Sequence, residues 1–140
     1  MKDFTLSAYT SYLKAILHSF PRILRFDEFF ESRPRPPEFC LIRHDVDRRP
    51  CKALKMARLE NELGVKATYY FRTKPFVFRA HIVKEIHNLG HEIGYHYESL
   101  SDARGNMTLA LGDFERNLHR LRRWVPVRTI AMHGRPLSPF

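Results

Sequence analysis

The sequence predicts an α/β protein built on a parallel sheet with alternating helices. Three observations predict it. Short runs rich in Val, Ile, Thr and aromatic residues alternate with longer stretches whose apolar residues recur every three or four positions. Gly64 and Gly90 stand where two of the longer stretches end. The connections are long enough for right-handed crossovers, so neighbouring strands run the same way.

The elements follow in order. Tyr9, Leu13, Ile16, Leu17 and Phe20 give residues 5–20 an amphipathic helix that Pro21 stops. A short apolar cluster, Phe26, Phe29 and Phe30, precedes Arg33-Pro34-Arg35-Pro36-Pro37, which is too rich in proline for helix or sheet. Residues 1–37 therefore read as an N-terminal helical segment with a Pro-rich linker, and 38–140 as the α/β domain. Within that domain, strands are expected at 39–44, 66–72, 91–96 and 127–132. Helices are expected over 52–63, around Ile82, Val83, Ile86 and Leu89, and over 107–124.

Composition narrows the function classes. A chain of 140 residues with 44% hydrophobic content suits one domain with a real core. No apolar run is long enough to span a bilayer, and the first twenty residues lack the pattern of a signal peptide. Cys40 and Cys51 have no metal-site or disulfide-framework spacing, which fits a reducing, cytoplasmic compartment. The formal charge of +9 invites a nucleic-acid reading. The cations are only modestly clustered, however, and no recognition motif accompanies them, so a basic solvated surface is expected and no nucleic-acid partner.

In parallel α/β folds, chemistry sits at the carboxyl ends of the strands. Three polar clusters fall there: His44-Asp45-Val46-Asp47, His96-Tyr97-Glu98 and His133-Gly134-Arg135. Asp45 and Asp47 are two apart, so extended backbone projects them from one side. Two carboxylates so close repel each other in a partly dry cleft unless a cation joins them, although Asp-x-Asp also caps helices and closes loops. Three converging clusters favour a metal.

These segments resemble the polysaccharide deacetylases of carbohydrate esterase family 4, including the Asp-x-Asp variant of its divergent members. Arg43-His44-Asp45-Val46-Asp47 is similar to the first of their motifs. Residues 62–71 are similar to their second strand and its approach, and Leu89-Gly90-His91-Glu92-Ile93-Gly94-Tyr95-His96 to the segment bearing their histidine motif. The likeness runs from about Phe39 to the end. It implies the N-terminal part of an incomplete (β/α)7 barrel. It also implies a divalent metal, most commonly Zn2+, that serves to remove N- or O-acetyl groups from a carbohydrate substrate.

Carried over by position, Asp45 resembles the catalytic base, Asp47 the metal-binding aspartate and His96 the first metal-binding histidine. The family's second histidine falls on Leu100, which cannot bind a metal. Met132-His133-Gly134-Arg135-Pro136 stands where the family shows an Arg-Pro-Pro-like segment, and His133 is the expected third ligand. Glu98, of the same strand parity as His96, is the reserve; His44, of opposite parity to the aspartates, ranks below both. Arg43 shares the parity of Asp45 and is placed to orient it, while Tyr97 is placed either to meet substrate or to pack. No general acid is assignable, since the family's later histidine would lie beyond Phe140. With four strands readable, the chain reads as a truncated product or gene fragment. Its open sheet then calls for self-association or a complementing C-terminal half, and a catalytically inactive glycan- or partner-binding relative is the alternative.

Overall fold

The computed structural model describes residues 5–135 and 137–140, so Pro136 and the first four residues of the N-terminal segment lie outside it. Strands β1 (Ile23–Leu24) and β2 (Cys40–Leu41) pair in parallel. Beyond Ile42 the second line continues as β3 (Arg43–Val46), which joins β4 (Thr68–Phe71), β5 (Glu92–Tyr97) and β6 (Ile130–Met132) in one parallel sheet of order β3-β4-β5-β6. The sheet curls into a half-barrel. Helices α1 (Leu6–Ser19), α2 (Phe26–Glu31), α3 (Pro50–Glu62), α4 (Ala80–Asn88), α5 (Ser99–Asp102) and α6 (Met107–Arg122) complete the chain. Strands and helices alternate as the sequence predicts. The fourth strand is shorter than expected, and β1, α2 and α5 were not anticipated. No described helix is long and apolar enough to cross a membrane.

Register assigns the faces. Pairing sets His44 beside Tyr69 and Tyr69 beside Ile93, and likewise Val46, Phe71 and Tyr95 in a row. This outer face meets the helices: Tyr69, Phe71, Ile93 and Tyr95 pack with Ala57 of α3, Val83 and Ile86 of α4 and Leu121 of α6. The other row runs through Arg43, Thr68 and Glu92, then Asp45, Tyr70 and Gly94, and lines the concave face. Neighbours in a parallel pair share a face, so one pleat separates an apolar side from a polar one.

The N-terminal segment shares this core. The hydroxyl of Thr5 accepts from the amide of Ala8 to start α1, and Leu13 is fully buried among the residues under the sheet. Tyr9 donates to Glu60, a fully buried carboxylate of α3 that also takes Tyr69 Oη at 2.6 Å and lies 2.6 Å from His44 Nε2. Burial pushes the Glu60 carboxyl up, but the bonds from His44, Tyr69 and Tyr9 outweigh it and the net displacement is downward. At the opposite face, the amides of Phe26 and Asp27 donate to Thr68 Oγ1 and Glu92 Oε2, so α2 closes the amino-terminal end of the concavity.

A second glycine role lies inside β5. A Cβ on Gly94 would sit 2.3 Å from Cε1 of Tyr70, so only glycine lets that ring lie flat across the concave face. The ring then donates its hydroxyl to Thr129 Oγ1 at 3.0 Å and carries the Arg43 guanidinium 4.8 Å above it.

Two stability outcomes follow. Leu13→Ala removes a fully buried side chain at the α1 contact and lowers the unfolding free energy by about 2–5 kcal/mol, measurable by urea denaturation. Buried His91 accepts the Ala67 amide at Nδ1 and faces Ala57 O with Nε2, a pairing that suits the neutral ring, and burial lowers its pKa below the ordinary 6.5. The unfolded chain therefore takes up the proton first, and stability falls as pH drops below about 6.5. His91→Gln makes the denaturation midpoint less dependent on pH between about 7.5 and about 5.5. Some slope remains, because burial lowers His133 in the same direction.

Candidate metal centre

Three strand ends converge at the carboxyl mouth of the half-barrel. Asp47 follows β3, His96 lies in β5, and His133 follows β6, held there by its amide bond to Tyr97 O at 2.7 Å. Each offers one donor atom, and the three atoms lie within 4.8 Å of one another. Asp47 Oδ1 is 3.0 Å from His133 Nδ1 and 3.5 Å from His96 Nε2, and the two ring nitrogens are 3.2 Å apart. Two ligands about 2.0–2.1 Å from a tetrahedral zinc ion are separated by about 3.3 Å. The donor set has the spacing and the mixed nitrogen and oxygen character that such an ion takes.

Protonation supports the same conclusion. His96 Nδ1 lies 3.0 Å from Ala131 O, a carbonyl that can only accept, so Nδ1 carries a proton and Nε2 is the ring nitrogen turned to the cluster. Burial lowers the pKa of His133, while the Asp47 carboxylate opposes that shift, and the net direction leaves its imidazole neutral near pH 7. The 3.0 Å approach of Asp47 Oδ1 to His133 is thus no ion pair at neutral pH. The alignment is also not that of a hydrogen bond, since Oδ1 is buried with no hydrogen-bond partner among the described residues. Asp47 as a residue is 42% exposed at its side chain, yet this one oxygen is turned inward. A buried carboxylate oxygen left unbonded beside two imidazole nitrogens is costly unless a cation completes the group.

Asp45 stands beside the triad without joining it. Its Oδ2 is 3.7 Å from His96 Nε2, and both its oxygens are gripped by Arg43 at 2.7 and 3.0 Å. The extended backbone does project both aspartates from one side. The two reserve residues go elsewhere. His44 points through the outer face to Glu60, as its opposite parity requires. Glu98, 6% exposed, is bound by Arg72 through two bonds of 2.8 and 2.9 Å and by Arg135 at 2.8 Å. Tyr97 packs against Tyr95 and Phe114. Leu100 lies in α5 and offers no donor atom.

The Arg72 and Glu60 clusters escaped the sequence reading. Arg72 falls in an expected strand and Glu60 in an expected helix, and neither position carries a sign of its partners. Comparison with protein-family models, with curated proteins and with solved structures finds no match.

Zinc added to the purified chain is expected to bind at one equivalent. With free zinc about 100 times the dissociation constant, it raises stability by about 2.7 kcal/mol in a thermal melt. Asp47→Ala, His96→Ala and His133→Ala each abolish this shift, whereas His44→Ala does not.

Proposed function

We propose that this chain is a metal-dependent hydrolase that removes acetyl groups from a sugar or polysaccharide precursor. The observation that carries the reading is the convergence of Asp47, His96 and His133 around an unbonded carboxylate oxygen, with a further carboxylate, Asp45, alongside. The motif likeness to polysaccharide deacetylases supports it, and the parallel half-barrel is compatible with the first part of a (β/α)7 barrel. On this reading His133 takes the ligand role that Leu100 cannot fill.

The division of labour follows from the donors. A divalent cation, zinc by the donor set, supplies Lewis acidity toward the acetyl carbonyl and lowers the pKa of water. Asp47, His96 and His133 hold it. Asp45 takes the proton of the attacking water as general base, and Arg43 fixes the plane of its carboxylate by gripping both oxygens. Each oxygen keeps a further lone pair, so the grip leaves a place for the proton. Tyr70, under Arg43, supports the guanidinium from below. The chain requires neither a membrane span nor a nucleic-acid partner for this role, and the cytoplasm is compatible with its two free thiols.

The second reading is a non-catalytic glycan- or partner-binding relative. It is favoured by the open flank of β6, where Ile130 and Met132 are 49% and 64% exposed and no described strand covers the edge. A second copy or a complementing C-terminal half would close that edge.

Acetate release from N-acetylated sugar oligomers, assayed with one equivalent of zinc, separates the two. The hydrolase reading expects turnover that Asp45→Asn lowers by about 100- to 10,000-fold while zinc content stays at one equivalent. A zinc-loaded chain releasing no acetate would decide for the binding relative.

A further inference from the structure

Beside the metal centre lies a group of charges that the proposed reaction does not use. Its middle is Glu98, two residues after His96 and nearly buried. Arg72 grips both Glu98 oxygens and reaches with its remaining nitrogen to the backbone carbonyl of Asp47 at 3.4 Å. Arg135, two residues after His133, meets Glu98 at 2.8 Å and Asp102 at 3.0 Å. Lys74 bridges Glu98 at 3.6 Å and Asp102 at 2.6 Å, but among the described residues it bonds neither the loop bearing Asp47 nor the loop bearing His133.

We propose that Glu98 is the hub of a positioning device. Through Arg72 it fixes the loop bearing Asp47, through Arg135 the loop bearing His133, and through its own backbone the strand bearing His96. The inference rests on the metal reading above, and it assigns to Glu98 the arrangement of ligands rather than ligation. The need for it is physical. Asp47 and His133 both lie past the last paired residue of their strands, and Gly134, next to His133, has none of the described residues within 4 Å of where a Cβ would stand. A loop with a glycine there loses more backbone freedom on ordering and does not stiffen itself. The two-bond fork of Arg72 on Glu98, and the ion pairs that Arg135 makes through Nη2 with Glu98 and Asp102, supply the rigidity that the sheet no longer provides.

Simple electrostatics and positioning predict opposite signs, which makes the idea testable. Removing a cation near a divalent site should tighten metal binding if charge alone matters. If Arg135 acts by holding the His133 loop, its loss should weaken binding instead.

Zinc affinity of the full chain is to be measured by chelator competition, together with the absorption spectrum of the cobalt-loaded protein. The expected result is that Arg135→Ala weakens zinc binding about 10- to 100-fold and alters the cobalt spectrum, with the far-ultraviolet circular dichroism unchanged. Arg72→Lys, which keeps the charge and loses the fork, should weaken it likewise, while Lys74→Ala should not. Unchanged or tighter binding in Arg135→Ala and Arg72→Lys would overturn the hub while leaving the metal reading intact. Failure of the unaltered chain to bind zinc would overturn the metal reading itself. The two arginine variants decide, since Arg135 is partly exposed and Arg72→Lys preserves the charge balance.

Discussion

His44 and Asp45 are adjacent in β3 and belong to different worlds, because the pleat of the strand sends one through the sheet and keeps the other on the concave side. Everything near the candidate site depends on that alternation. Behind the sheet, His44 meets Glu60, Tyr9 and Tyr69 in a closed polar cluster that also anchors α1. In front, Asp45 meets Arg43 and the triad. A slip of one residue in the pairing of β3 with β4 would turn both aspartates into the helices and His44 into the cleft. The apolar packing of Val46, Phe71 and Tyr95 on the outer face is what forbids it.

The concave face is organised in layers from the closed end to the open mouth. At the bottom, Glu92 gathers Thr68, Thr129 and the start of α2. Above it Gly94 clears the room for Tyr70, whose ring supports Arg43. Arg43 then grips Asp45, and at the mouth Asp47, His96 and His133 meet. Each layer restricts the one above it. The polarity of this face, which would be wasteful in a structure made only for stability, is what the proposed metal reading calls for.

Much of this arrangement could be read from the residues. The four long helices and the strands of the main sheet announced themselves through periodicity over nine residues or more, or through β-branched and aromatic runs. β1, α2 and α5 did not, since two, six and four residues are too few to show a period. Their order comes from distant partners such as Thr68 and Glu92. The convergence of Asp47, His96 and His133 was readable because strand ends place them, and parity separated His44 from the aspartates. Parity also kept Glu98 as a reserve ligand, and there it misled. It says which side of a strand a carboxylate takes but not that Arg72, 26 residues earlier, will claim both its oxygens.

The distribution of groups also separates two properties that an enzyme joins. All three donor atoms of the triad, and the Glu98 hub that orders their loops, come from β3 to β6 and the turns that follow them. Metal affinity on the proposed reading is therefore a property of the described residues alone. Water exclusion is different. The cleft is open beside β6, and Asp47 and Asp45 keep over a third of their side-chain surface in solvent. Electrostatic stabilisation of a developing oxyanion grows as water is removed, because the local dielectric falls. On the proposed reading, the same donors would bind a cation in the open half-barrel and would act on a carbonyl at their full strength only where the flank of β6 is covered.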